Sequence, residues 1–487
     1  MNIFSRLIAF IKGVVRRMIR YEDVESVEHI ESPLSTDMVN ALDAWYQMYT
    51  NQPSYLSEEV STLGLPSLIC HELARQITLE LKWNITGTKR DENAEALTNP
   101  RSEFLKAEFE KCMTKLRERL EQGCAAGGMI IKPYLKGEHL YFDWTMDWSI
   151  YPIAFDDEGN LSDVVFRDSY TQGKSFYTRL ERHTRAGNDV KITQRAFKSS
   201  TRESIGSEVS LTEVPLWAEA QPELLVKNVD GQMFGWFRVA AANNVDPESP
   251  MGLSVFSKAM DLIEDADRQY SRLLWEFEAS EMAIDVDPQV LRPSGQNRDG
   301  STRYEMPKLN KRLFRGVDMG QDETYNVFAP TIRDASLLNG LNQILMRVED
   351  QAGLSRGTLS DANAEARTAT ELRIIRQRSY ATIADNQKAL ETCLRDVIRV
   401  MDKYTSLYQL APEGDYEVSF EWDDSVITDT EQQMNERLTL MNAGVMSKTE
   451  LREWYFGETK AQATAAIDAI TAEQVAEMAQ MLPTVQE

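Results

Sequence analysis

Between residues 254 and 407 the chain reads as helix, interruption, helix, interruption and one very long helix, an order that few folds accommodate. Val255, Phe256, Ala259, Met260, Ile263, Tyr270, Leu273, Leu274 and Phe277 recur at helical spacing over residues 254–278, about 37 Å at ~1.5 Å per residue. Residues 285–329 then lose that period under Pro288, Pro293, Gly295, Gly300, Pro307, Gly316 and Gly320, which points to a small β-rich excursion. A second helix follows over 331–352 through Leu337, Leu338, Leu341, Ile344, Leu345 and Val348. Thr368 and Glu371 then stand in capping-box spacing at the head of a pattern reaching Leu407. That last helix spans about 60 Å if unbroken. One compact domain cannot wrap it, so it is expected to pack along neighbours, and two long helices joined by a small module need lateral partners for their apolar stripes.

The first half differs in character. Residues 22–36 are acidic and aperiodic, the pattern of a linker, and helical spacing follows at 37–49, 66–81 and 102–122. Gly123, Gly127 and Gly128 end the helical run. Segments 129–134 and 139–144 read as strands paired about Lys136 and Gly137, and 150–155 with 164–167 as a second pair about Asp156 to Asn160. Further short strands are expected up to Val239. Residues 416–422 alternate like a strand that should rejoin the first domain's sheet, and short helices should follow from Asp429. The fold class is α+β, mainly α, and a length of 487 residues leaves room for about three domains.

Charge narrows the function. Lys and Arg number 53 against 77 Asp and Glu, for a net charge of −24, and the last 79 residues alone hold 16 acids and 4 bases. Duplex DNA carries a negative charge every ~1.7 Å, so such a chain is not built to clamp it. The first twenty residues run the other way, with Arg6, Lys12, Arg16, Arg17 and Arg20 and no acid. They read as a basic amphipathic helix, too charged to span a bilayer, which fits either a membrane or acidic-partner contact or a helix docked on its own assembly. Cys70, Cys112, Cys124 and Cys393 form no CxxC pair and read as free core thiols.

Catalytic patterns are absent or misplaced. Four histidines, His29, His71, His139 and His183, leave little imidazole chemistry, and Arg75 stands where a zincin needs its second histidine. No phosphate-loop motif occurs. Gly353, Ser355 and Gly357 spell GxSxG, but after a helix rather than the strand a nucleophile elbow requires. The pairs Asp156/Asp157 and Asp423/Asp424 fit a turn and a strand exit. The expectation is therefore a non-enzymatic chain with no cofactor and no metal.

Three passages, in order along the chain, give the sequence a family likeness. Gly127, Gly128, Lys132 and Pro133, with Pro152 and Gly159, form the first; Asn243, Asn244, Gly252, Ser254 and Asp267 the second; Gly353, Leu354, Ser355 and Thr368 to Glu371 the third. Together they resemble the portal proteins of tailed bacteriophages, of the siphophage type. The resemblance implies a subunit with wing, stem, clip and crown that assembles as a ring, a homododecamer, at one capsid vertex. Double-stranded DNA is packaged and ejected through such a ring. Its partners are the terminase large subunit, the head-tail adaptor and the major capsid and scaffolding proteins.

Residues 1–36, the basic segment and linker, are not assigned by the resemblance; carried onto the rest of the chain, it implies a wing at 37–248, a first stem helix at 249–284 and a clip at 285–330. A second stem helix at 331–352, a channel loop at 353–367, a long wing helix with its returning strand at 368–428 and a helical crown at 429–487 complete it. Leu359, Ser360, Asp361, Asn363, Glu365 and Arg367 would then line the DNA channel, touching DNA weakly and in passing. Lys308, Lys311, Arg312 and Arg315 in the clip would dock a partner or the neighbouring subunit. Asp261, Glu264, Asp265, Asp267, Glu276 and Glu278 should leave one acidic face on the first stem helix, turned to the lumen or a neighbour. The alternative class is a virion structural protein held to a membrane by residues 1–20.

Overall fold

A computed structural model describes residues 24–30, 32–88, 99–201, 204–286, 292–305, 314–316, 325–361, 369–422 and 430–481. The chain falls into two compact units, Met1–Glu421 and Trp422–Glu487. Secondary structure is mixed, 44% helical and 25% strand, so helix outweighs strand.

The first unit opens with α1 (Thr36–Tyr49), α2 (Leu65–Thr78) and α3 (Pro100–Ala126), with β1 (Leu81–Gly87) between the last two. The Ser35 hydroxyl accepts the Met38 N–H to start α1, and Asn99 and Ser102 close a reciprocal cap on α3, where Pro100 needs no donor. Ile69, Leu73 and Ile77 of α2 and Leu105, Phe109 and Leu116 of α3 are buried, as their spacing predicts. α3 ends at Gly127, which takes a left-handed conformation, φ 88°.

Two sheets follow. β2 (Gly128–Lys136) and β3 (His139–Met146) form the expected hairpin, and β10 (Gly235–Arg238) pairs with β2 on the other side. The larger sheet runs β4 (Ile150–Phe155), β5 (Leu161–Gln172), β6 (Ser175–Ala186), β7 (Asp189–Ser199) and β8 (Ser207–Val209), with β9 (Glu223–Val226) also on β7. Asp156 holds the β4–β5 turn, its Oδ1 accepting the N–H groups of Glu158 and Asn160. This is the turn role, not a catalytic one.

α4 (Met260–Ala279) and α5 (Asp334–Ala352) pack together as a hairpin. Between them β11 (Ala283–Val286) pairs with β14 (Phe314–Gly316) in parallel and β15 (Tyr325–Phe328) antiparallel, while β12 (Arg292–Gln296) pairs with β13 (Thr302–Glu305). α6 (Ala369–Leu407) follows over 39 residues, then β16 (Tyr416–Trp422). The second unit holds α7 (Thr430–Asn442), α8 (Lys448–Phe456) and α9 (Lys460–Met481). Its capping box at Ser447 and Glu450 starts α8.

Several expectations are corrected. The stretch read as a linker begins its described part with a helical turn at 24–28, whose Val24 is buried with Tyr151, Val165, Leu180 and Phe197. The short strands expected before Val239 include three of 11 or 12 residues, because β5, β6 and β7 pair along nearly their whole lengths. β16 does not join either large sheet; it pairs with β1, a strand that the sequence reading left unassigned beyond Leu81. The first hairpin helix begins at Met260 rather than Ser254, since residues 254–259 close in tighter turns, with the Ser257 and Ala259 N–H groups donating to the Ser254 and Phe256 carbonyls at 2.9 Å each. α6 needs no neighbour for its second half: Leu390, Leu394, Ile398 and Met401 are buried within the chain, against β10 and β2. At 22 residues α9 is not short. The four cysteines are buried and free.

Candidate functional site

Two of the three passages that carry the family likeness meet at one joint between the sheets and the helical hairpin. Gly127 and Gly252, 125 positions apart, lie backbone to backbone; a Cβ on Gly127 would stand 2.5 Å from the Gly252 carbonyl oxygen. Beside them the Val239 N–H donates to the Gly127 carbonyl at 2.9 Å. Arg238 lies over the Trp236 ring and donates to the Gly159 and Pro250 carbonyls at 3.0 and 3.2 Å. Asn243 ties off the approach to the hairpin, its Oδ1 accepting from Val245 and Asp246 and its amide donating to Met251. These residue types are small or multivalent hydrogen-bonding groups because two backbones cross there.

Two buried ionisable groups lie along β2, one against its first residue and one within it. Asp147, fully buried under Gly128, accepts from the Trp236 indole at 3.1 Å, while its second oxygen has no partner. Burial pushes its carboxyl up to about 7, against the pull of that indole and of Arg238. Lys132 is buried over the Phe166 ring and donates to Glu181 at 2.7 Å, with Asp143 at 3.4 Å. Burial alone would raise the Glu181 carboxyl, but Lys132, His183 and Arg179 outweigh it and hold it well below the usual range.

The hairpin is fixed to itself and to the segment between α1 and α2 by acids turned inward. Asp267 of α4 is fully buried and accepts the Tyr55 hydroxyl at 2.9 Å and the Leu63 N–H at 2.7 Å. Glu276 takes the Arg333 guanidinium at 2.7 Å where α5 begins. The acidic face expected of this helix therefore loses two of its six members, because both occupy the side that packs. Farther along, Trp275, Phe277, Met282, Tyr325, Val327 and Leu338 leave large apolar side chains exposed, with Trp275 63% and Tyr325 66% accessible.

The loop after α5 starts at Gly353 in a left-handed conformation, with a Cβ there blocked by Thr382 of α6. Leu354 is buried and Ser360 nearly so; Leu359 is half-buried and Asp361 exposed. Glu349, fully buried in the last turn of α5, gathers the N–H groups of Gly357, Leu359 and Ser360. Asn363, Glu365 and Arg367 lie outside the described residues, as do Lys308, Lys311 and Arg312. Arg315 lies on β14, in register with Asp285 of β11. Residues 1–20 and Asp423/Asp424 are also outside the described set.

Glu349 and Asp147 were not singled out by sequence. A signal existed for the first: Glu349 falls on the stripe of Leu341, Leu345, Val348 and Ala352, where an unpartnered acid is costly. Among the described residues no cluster of His, Cys, Asp or Glu could hold a metal, and no helix is long and apolar enough to cross a membrane.

The long hairpin, its small β module and the glycine joint are matched by one comparison. The family described as phage portal protein, SPP1 Gp6-like, covers residues 79–481. The chain belongs to that portal family. No curated protein matches it. Portal proteins are a structural, non-enzymatic family. The matched span takes in the joint, the hairpin and α6, and extends into the second unit.

Proposed function

We propose that copies of this chain stand side by side as a ring at the capsid vertex and enclose the channel through which double-stranded DNA is packaged and later ejected. In this reading α4 and α5 are the stem, the strands β11 to β15 the clip, the sheets with α6 the wing, and the helices from 429 onward the crown. The clip, with Lys308, Lys311, Arg312 and Arg315, meets the terminase motor and then the head-tail adaptor. Residues 359–367 lie nearest the DNA, and no metal or cofactor takes part.

One observation carries the reading. Trp275, Phe277, Met282, Tyr325, Val327 and Leu338 are large apolar side chains of the hairpin and its module that the chain leaves exposed to solvent. Exposed apolar patches of this kind mark interfaces, and a head-to-tail contact that closes makes a ring. A net charge of −24 suits a wall past which a polyanion must slide, since a ring of paired phosphates would hold DNA by counterion release. Negative-stain electron microscopy and native mass measurement of the full chain test it. Annular particles are expected, converted to single subunits by Trp275→Asp with Tyr325→Asp; solitary particles at every concentration refute it.

A further inference from the structure

The Glu349 carboxylate sits where chemistry disfavours it. It is fully buried, and it lies in the last turn of α5, at the negative end of the helix dipole. What solvates it is the loop. Oε1 accepts from Leu359 N at 2.5 Å, Ser360 N at 2.8 Å and Gly357 N at 3.1 Å, and Oε2 accepts the Ser360 hydroxyl at 2.8 Å. The loop's own arginine, Arg356, is engaged elsewhere, on Asp350 at 2.7 Å. About two turns back on the same helix, Asn342 Oδ1 accepts the Asp361 N–H at 2.8 Å. Backbone donors converging on one anion are short, strong and directional.

The loop root therefore has no independent path: residues 357–361 double back along α5 because two side chains of that helix hold their backbone. We propose that Glu349 is a positioning residue, the anchor that makes the root of the channel loop move as one body with the second stem helix. Any rotation of that helix within the ring then displaces the loop root by the same rotation. This rests on the reading of residues 359–367 as the DNA-facing loop. It differs from the bare resemblance in assigning Ser360 to the anchor rather than to the DNA surface, since its hydroxyl and N–H are both spent on Glu349.

The test uses the full chain with a spin label at Asp361→Cys, an exposed site in a protein whose own four cysteines are buried. A second label at Glu138→Cys, on the β2–β3 turn, serves as control. Glu349→Gln keeps the volume but loses the charge and sets an amide NH₂ against backbone N–H groups. The expected result is a several-fold loss of ordering at position 361, no change at 138, and partial recovery in Glu349→Asp. An unchanged spectrum at 361 overturns the anchor, whatever the loop does. If position 361 loosens but DNA packaging and retention in infected cells stay at wild-type level, the anchor stands as a contact while its role in DNA passage is overturned. A tenfold fall in packaging with intact rings supports both. Should Glu349→Gln fail to fold, Ser360→Ala and Glu349→Asp give the same readouts in milder form.

Discussion

Replacing Asp147 by Asn should make the protein more stable, and more so as pH rises. In the fold this carboxyl is raised from its ordinary 3.8 to about 7 because it is buried with one oxygen unpartnered. The folded state thus holds the proton more tightly than the unfolded chain does, and stability falls as pH climbs from the unfolded value to the folded one, then levels off. At about 1.36 kcal/mol for each tenfold change in acidity, the span amounts to about 4 kcal/mol lost between pH 4 and pH 7. Asparagine is the permanent stand-in for the neutral acid. Its carbonyl still accepts the Trp236 indole N–H, and its NH₂ takes the place of an oxygen that had no partner. The variant should match the wild type at pH 4.5 to within about 1 kcal/mol, the size of one hydrogen bond, and exceed it by 2 kcal/mol or more, roughly half the full span, at pH 8.

Urea unfolding of both proteins, followed by tryptophan fluorescence at half-unit steps from pH 4.5 to 8.5, reads the difference directly, and Trp236 reports from beside the group. A gap that opens with pH and flattens near 7 confirms the reasoning. A constant gap, or a variant weaker at pH 8 than at pH 5, refutes it, because either result means that Asp147 stays ionised at the joint and is stabilised by Arg238.

Other expectations follow from the same joint and its surroundings. Gly252→Ala drives a methyl into the Gly127 carbonyl and should cost about 1–3 kcal/mol as an overpacked contact, read by urea melts, with the hairpin loosened from the sheets in hydrogen exchange. Lys132→Met strands the buried Glu181 carboxylate and should cost about 3–5 kcal/mol, whereas adding Glu181→Leu should restore much of it; a thermal double-mutant cycle separates the two. Reversing the charge of Lys308, Lys311, Arg312 and Arg315 together should leave ring formation intact and abolish motor-dependent packaging in infected cells; unimpaired packaging reduces the cluster to a solvated loop.

What the sequence revealed, and what it hid, divides along the range of the interactions involved. The helices and both hairpins were legible because their signals are local: Leu105, Phe109 and Leu116 fix a stripe, and Lys136 with Gly137 fixes a turn. β1 went unassigned because its partner, β16, lies over 300 residues away, and no property of Trp83 or Ile85 announces that pairing. The acids divide the same way. Asp267 and Glu276 were counted as an exposed face, although Asp267 follows Ile263 by one helical turn and Glu276 follows Leu273 by three residues, positions that turn inward. Glu349 repeats the pattern beside Val348. An acid on an apolar stripe must find donors outside its own helix. In this chain the donors are Tyr55 and Leu63, Arg333, and the loop amides of 357–360, each of them a point where the acid's own helix is tied to another segment. Polar exceptions to the helical pattern were therefore the most informative residues in the hairpin, since each one marks where a helix is tied to a group outside itself.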